Sequence, residues 1–291
     1  MATVGQWVEG ARLRTLPLAV SPVIAGTAAA VQMRDFRPLP ALLALLVALF
    51  LQIGVNYAND YSDGIKGTDD ARVGPLRLTG SGAAPAHHVK FAAFGCFGAA
   101  MVAGVILVLA THQWWFLVVG LSAVFAAWGY TGGKHPYGYI GLGDLFVFLY
   151  FGLVATLGTT FSQASRFSTT SVCAAIALGL IACALLMANN LRDVPTDTDA
   201  GKKTLAVRLG APRARLAYAV EIVLAFALML FTVPENSWNL LVFLALPFAV
   251  PAVRTVLTAQ DLRALIPVLK HTGILSVLFS VLLLVASILG A

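Results

Sequence analysis

The sequence predicts an all-α protein, a single bundle of nine membrane-spanning helices. Three observations predict it. The 291 residues are 59% hydrophobic and only 11% charged, against about 25% charged in a soluble domain. Mean hydropathy is +0.86. Apolar runs of the length a bilayer demands, about 20 residues, recur from one end of the chain to the other.

In order, the first two runs fall at 15–32 and 39–59, joined by the short connection 33–38. Arg12, Arg14 and the AGTAAA stretch also fit a signal peptide with a small-residue cleavage site. A retained helix is the expectation, because the charge balance then closes. The long connection 60–88 follows. Runs at 89–111 and 113–131 are joined at Thr111–Gln113, and the Gly- and aromatic-rich stretch GGKHPYGYIGLGD occupies 132–143 or so. Runs at 144–164 and 169–191 are joined by Ser165–Ser168. A second long connection covers 192–213. Runs at 214–233 and 238–258 are joined at Pro234–Ser237, and 267–289 is last. No soluble insertion interrupts the series, so residues 1–291 read as one integral-membrane domain.

Lys and Arg set the orientation. With the N-terminus in the cytoplasm, 16 of the 19 basic residues face inward and only Arg34, Arg37 and Arg166 face out, a strong positive-inside bias. The C-terminus then lies outside. The net charge of +6 is accounted for by an anionic leaflet or anionic substrates, without nucleic acid. Cys96, Cys173 and Cys183 lie in apolar runs with no metal-ligand spacing, and read as small core residues.

Seven of the thirteen acidic residues sit in two segments, NYANDYSDGIKGTDD (56–70) and NNLRDVPTDTD (189–199). Each ends an apolar run, and each opens with Asn, three residues, then Asp. The two starts are 133 residues apart, four helices later, so both reach the same membrane face. Asn56, Asp60 and Asp63 have i, i+4, i+7 spacing and share a helix face. Asn189, Asp193 and Asp197 have i, i+4, i+8 spacing, with Pro195 placed to kink or end the helix near Asp193; Asp197 and Asp199 are then expected in a loop. These are hard oxygen donors and suit Mg²⁺, which takes a few carboxylates and completes its shell with water and phosphate.

Basic residues are interleaved with the acids: Lys66, Arg72, Arg77, Arg192, Lys202 and Lys203. Carboxylates that hold a metal and cations that hold phosphate make a metal-bridged anion site. For Asp69, Asp70 and Arg72 a solvated surface network is an equal alternative. For Asp60 and Asp193, at the membrane boundary, an unpaired charge is too costly for that alternative. A metal-held phosphate at the mouth of an apolar bundle points to a lipid diphosphate. Loss of diphosphate from an allylic carbon leaves a cation that needs a dry site and π-faces; Tyr57, Tyr130, Tyr139, Tyr150 and Phe151 are among the aromatics on that side.

The chain resembles the UbiA superfamily of intramembrane prenyltransferases, and within it the branch that uses a naphthoate acceptor. The resemblance rests on ARLRTLPLAVSPVIAGTA (11–28), NYANDYSDGIKGTD (56–69), YTGGKHPYGYIGLGDLFVFLYFG (130–152) and NNLRDVPTDTDAGKKTLAVRLG (189–210). It implies nine transmembrane helices, and Mg²⁺ and polyprenyl diphosphate bound by two Asp-rich motifs. Matched residue by residue, Asn56, Asp60 and Asp63 fall in the first motif and Asp193 and Asp197 in the second, followed by Lys202 and Lys203. The implied reaction moves the polyprenyl group to 1,4-dihydroxy-2-naphthoate with loss of CO2 and diphosphate, giving demethylmenaquinone. Lys134 and Arg192, with Arg14 a weaker choice, would meet the acceptor's carboxylate. Asp144 would orient or deprotonate a ring hydroxyl, or else cap its helix. Glu221, an acid inside the seventh run, is a functional candidate by default, with helix–helix hydrogen bonding the plainer account. Alternatives are a 4-hydroxybenzoate or homogentisate acceptor, or a transporter; acids gathered at one face rather than the midplane disfavour the last.

Overall fold

The structure, a computed structural model, describes residues 2–67 and 76–291. Asp69, Asp70 and Arg72 lie outside the described residues. Among those described, the chain is helical with no strand. Among the described residues, seven helices are long and apolar enough to cross a membrane, or eight if the bent pair at the N-terminus counts as one broken span.

Helix α1 (Val4–Gly10) starts at a capping box between Thr3 and Gln6, which satisfies two backbone donors that a helix end leaves open. A 3-10 turn (Leu13–Thr15) follows, with Arg12 in the left-handed region at φ 52°. The chain bends by 50° into α2 (Pro17–Gln32). Proline at the first turn of α2 suits a helix start, where its missing N–H costs nothing. Helix α3 (Pro38–Ile65) has 28 residues. At 1.5 Å per residue that is about 42 Å, against a hydrocarbon core of about 30 Å. The sequence places the end of this run at 59; the helix goes on, and so keeps Asn56, Asp60 and Asp63 on rigid backbone.

Helix α4 (Ala86–Thr111) pairs with α3. Helix α5 (Phe116–Gly129) has 14 residues, shorter than the 113–131 run predicts, because a turn takes up Gln113–Trp115. The run Gly143–Ala164 is continuous but not uniform: α6 (Gly143–Val147), a π-helical stretch (Phe148–Val154), then α7 (Ala155–Ala164). The wider π turns lie where the run packs on α8 (Thr169–Arg192). A Cβ on Gly152 would fall 2.5 Å from the Gly179 Cα, so these two backbones touch through glycine alone, a packing mode favoured between membrane helices.

Helix α8 is the most buried of the long helices. Its core cluster includes Leu178, Ile181 and Met187 with Tyr218, Phe226 and Phe279 from later helices. Those are α11 (Ala211–Met229) and α13 (Leu265–Gly290), and α12 (Leu246–Thr258) adds Ala249, Ala252 and Val256 to the same cluster. A 3-10 stretch, Ser237–Ala245, leads into α12. Two short helices lie between α8 and α11: α9 (Val194–Asp199) and α10 (Leu205–Leu209). Pro195 does end α8 near Asp193, as expected, but it then starts α9. Asp197 and Asp199 are therefore helical rather than in a loop: proline's fixed φ is as suited to opening a helix as to closing one. The three cysteines are free, Cys173 and Cys183 buried and Cys96 half-buried.

The N-terminus of α8 is held by Glu235. Its carboxylate accepts from the Thr169 and Thr170 amides (2.7 and 2.8 Å) and from the Thr170 hydroxyl (2.9 Å). Burial pushes this carboxyl up, but the hydrogen bonds from Thr169 and Thr170 outweigh it and hold it below its ordinary range. A carboxylate so depressed adds stability above its unfolded pKa and loses that contribution as pH falls through the folded one. Glu235→Gln is expected to lower stability by about 1 kcal/mol at neutral pH, modest because the residue is exposed. In thermal melts of the detergent-solubilised protein, the gap between wild type and variant should close as pH drops below about 4; a gap that persists there would mean the charge plays no part.

Candidate active site

The ends of α3 and α8 converge at the mouth of a cavity of ≈ 590 Å³. Asn56, Asn59 and Asp63 reach it from α3; Asn189, Asn190 and Asp193 from the end of α8. Asp197, Lys202 and Arg77 complete the polar rim. Inward the wall turns apolar, passing Val47, Leu51 and Phe151 to Trp115, Phe116 and Phe167. One chamber thus joins a charged mouth to a long greasy interior.

The centre of the mouth is a cation between two carboxylates. Lys202 Nζ stands 3.9 Å from Asp63 Oδ1 and 3.7 Å from Asp197 Oδ1. The same ammonium lies 4.6 Å from the centroid of the Tyr139 ring, and the Tyr139 hydroxyl donates to Asp63 Oδ1 at 2.6 Å. Arg77 Nη2 approaches the other Asp63 oxygen at 3.8 Å. Both sequence motifs therefore meet at one point, with tyrosine as the third partner. Tyr139 was one of several aromatics legible in the sequence; only the fold singles it out.

Asp60 departs from its expected place. It is fully buried, outside the cavity wall, and both its oxygens accept backbone amides: Oδ2 from Leu78 and Oδ1 from Thr79, each at 2.8 Å. On the same helix face as Asp63 but one turn earlier, it meets the returning chain rather than the cavity. Its visible work is to hold the backbone beside Arg77. Asn56 is similarly committed: its amide nitrogen donates to the Ala11 carbonyl and the Thr15 hydroxyl, both at 2.9 Å. It lines the cavity while fixing the N-terminal turn.

The expected phosphate-binding cations divide. Arg77 and Lys202 line the cavity; Lys66, Arg192 and Lys203 do not. Arg192 is paired with Asp193 (2.7 and 2.6 Å) and bonds the Asn189 amide oxygen at 3.0 Å. Lys66 donates to the Thr131 carbonyl at 2.7 Å, and Thr131 donates to Asn59 at 2.7 Å. Burial lowers the Lys66 pKa; Asp63 opposes that, and Lys202 adds to it. Lys203 serves through its backbone, its amide donating to the Tyr139 carbonyl at 2.8 Å. Arg208 clasps the same loop, bonding the Ile140 and Lys203 carbonyls at 2.7 and 3.1 Å. Gly141 has φ 84°, and a Cβ there would meet Arg208 and the Lys203 carbonyl within 2.9 Å, so the clasp needs glycine.

Lys134 is exposed and Asp144 is buried; neither lines the cavity. Asp144 does not cap its helix, as its side chain makes no cap bond. Its two oxygens and Glu221 Oε2 are buried without a hydrogen-bond partner among the described residues. Arg12, Asn59 and Asn190, which sequence reasoning did not place in the site, do line it. Asn59 and Asn190 stood inside the two motifs, beside residues already chosen. Behind the mouth, Tyr137 stacks on Phe146 at 4.0 Å and Phe146 on Tyr150 at 6.1 Å, giving the cavity an aromatic wall with Tyr130 and Phe151.

Among the described residues no three Asp, Glu, His or Cys side chains form a group suited to a metal. Mg²⁺ does not require one: one or two carboxylates, water and substrate phosphate suffice. Asp63 and Asp197 already share one cation, the Lys202 ammonium, and the neighbouring donors are hard oxygens. This donor set fits Mg²⁺.

The chain is similar to several known proteins. Over 278 residues the chain is 50% identical to a 1,4-dihydroxy-2-naphthoate octaprenyltransferase of Mycobacterium tuberculosis, covering 94% of each. It is 40% identical to the enzyme of the same name from Escherichia coli, covering 91% of this chain and 89% of that one. Among solved structures, the apo form of a UbiA homologue from Aeropyrum pernix aligns with TM-score 0.72 over 92% of this chain and 97% of that one, at 14% identity. A homologue from Archaeoglobus fulgidus bound to DMAPP and Mg²⁺ aligns with TM-score 0.65 over 98% and 100%, at 13% identity. Residues 19–264 match the UbiA prenyltransferase family, and the chain belongs to it.

Proposed function

We propose that this protein transfers a polyprenyl group from polyprenyl diphosphate to 1,4-dihydroxy-2-naphthoate, releasing diphosphate and CO2 and giving the prenylated 1,4-naphthohydroquinone, the reduced form of demethylmenaquinone. The observation that carries the reading is the Asp63–Lys202–Asp197 bridge at the mouth of an apolar cavity. The acceptor is supported by the relatives at 50% and 40% identity, which are 1,4-dihydroxy-2-naphthoate octaprenyltransferases.

Asp63 and Asp197, with Asp193 and Asn189 beside them, would hold Mg²⁺. Bound there, the ion would supply positive charge to a departing diphosphate. Arg77 and Lys202 hold the diphosphate oxygens and keep their charge on them as the C–O bond to the allylic carbon breaks. Tyr139 holds Asp63 in place through its hydroxyl. The apolar interior takes the prenyl tail and excludes water, and the wall of Tyr137, Phe146, Tyr150 and Phe151 faces the allylic cation. The ring carbon bearing the carboxylate then forms the new C–C bond. The C–carboxyl bond breaks, CO2 leaves, and its electron pair restores the ring. Asp60 positions Arg77 by anchoring the backbone next to it.

The same reading places the protein in the cell membrane with nine passes, α5 being the short one, flanked by Trp114, Trp115 and Tyr130 at interfacial depth. The N-terminus and the cavity mouth face the cytoplasm, supported by the Lys/Arg bias.

Asp63→Asn and Asp197→Asn should each cut prenyl transfer by about a hundredfold or more, with melting temperature close to wild type. EDTA should stop turnover and Mg²⁺ restore it; undiminished activity in both variants would remove the metal assignment. Asp60→Asn should instead lower stability by about 2–4 kcal/mol, since two charge-assisted bonds are lost, and activity should fall with it. A stable Asp60→Asn protein with no activity would return Asp60 to the metal. With Mg²⁺ and polyprenyl diphosphate supplied, an acceptor panel should show product and CO2 only with the dihydroxynaphthoate; equal turnover of 4-hydroxybenzoate or homogentisate would change the acceptor.

A further inference from the structure

A second concavity lies at the same end of the bundle, outside the cavity. The 3-10 turn Leu13–Thr15 packs against α13: a Cβ on Gly273 would sit 3.6 Å from the Arg14 carbonyl oxygen and 3.5 Å from Pro17 Cβ. Between them opens a groove of ≈ 470 Å³. Its walls are apolar, with Leu13, Pro17, Ile266 and Ile274, and its two charges are both positive, Arg14 and Lys270. Both cations are exposed, no acid lines the groove, and neither has a hydrogen bond or ion pair among the described residues.

That combination selects its occupant. A soluble anion would use the two cations and gain nothing from the apolar walls. A purely apolar tail would leave the cations unanswered. An anionic phospholipid uses both, its phosphate between the charged groups and its acyl chain along the aliphatic wall. The depth also fits. The preceding helix α1 carries exposed Val4 and Val8, followed by exposed Leu13, as expected of a segment lying in the headgroup region.

The turn has two sides. Arg12 lines the catalytic cavity, while Arg14, two residues on, lines the groove. Thr15 at its end accepts from Gln52 and Asn56, each at 2.9 Å. We propose that Arg14 and Lys270 bind the phosphate of one anionic phospholipid, which pins this turn against α13 and so steadies one wall of the catalytic cavity.

The test is native mass spectrometry of the delipidated, detergent-purified protein titrated with phosphatidylglycerol. Arg14→Gln and Lys270→Gln should each weaken the tightest phosphatidylglycerol about fivefold, and the double variant about thirtyfold. Lys270→Arg should retain binding, as should Arg263→Gln on the neighbouring turn outside the groove. Phosphatidylcholine should bind wild type no better than phosphatidylglycerol binds the double variant, and millimolar inorganic phosphate should not displace the lipid. Lipid-free melting temperatures report folding, and the single variants carry the test if the double variant is unstable. Equal phosphatidylglycerol affinity in wild type and folded variants overturns the site. Equal binding of phosphatidylcholine, or displacement by inorganic phosphate, overturns the anionic-lipid assignment.

Discussion

Two carboxylates from distant parts of the chain, Asp63 and Asp197, stay close because one ammonium stands between them. Like charges at the edge of a low-dielectric bundle repel strongly unless a cation joins them. Much of the architecture at this end serves that junction. Helix α3 runs past the thickness of a bilayer so that Asp63 is carried on helix, and α8 breaks at Pro195 so that α9 can turn Asp197 inward. The Gly-rich loop lays Tyr139 beneath Lys202 and against Asp63. Under the proposed function, a metal held with the substrate would take the place of the ammonium between the carboxylates, and Lys202 would be free to meet the phosphate.

The interior is built on a different principle. Without a hydrophobic drive between helices in lipid, close backbone approach and van der Waals contact hold the bundle. The Gly152–Gly179 contact is the tightest such approach at α8, and it falls inside the π-helical stretch. That widened turn rotates the residues after it relative to a regular helix. It is the segment that delivers Tyr150 and Phe151 to the cavity wall.

The apolar runs and the two acidic motifs were legible because both are local: composition fixes the first, and spacing on one chain fixes the second. What the sequence could not separate was Asp60 from Asp63. Both lie on one helix face, and only the position of Leu78 and Thr79 decides that one is tied to backbone and the other meets the cavity. The same holds for Arg192, whose neighbour Asp193 claims it, and for Tyr139, one aromatic among many until Lys202 is placed over it. Helix ends were misjudged at α3 and α5 for the opposite reason: hydropathy marks where apolar side chains stop, while hydrogen bonding decides where a helix does. Asp69, Asp70 and Arg72 were read as an open choice and lie outside the described residues.

The clasp that joins the Gly-rich loop to the loop after α9 is made largely of main-chain atoms. The Lys203 amide meets the Tyr139 carbonyl, and the Arg208 guanidinium meets two more carbonyls. Every residue has a carbonyl, so most side chains along this seam are free to drift over generations without loosening it. Within the clasp itself, Gly141, where a methyl group would collide, and Arg208, which reaches across, are positions where the side chain matters. A seam of this kind lets a lineage retune the chemistry around its substrates while the frame that aligns them stays put.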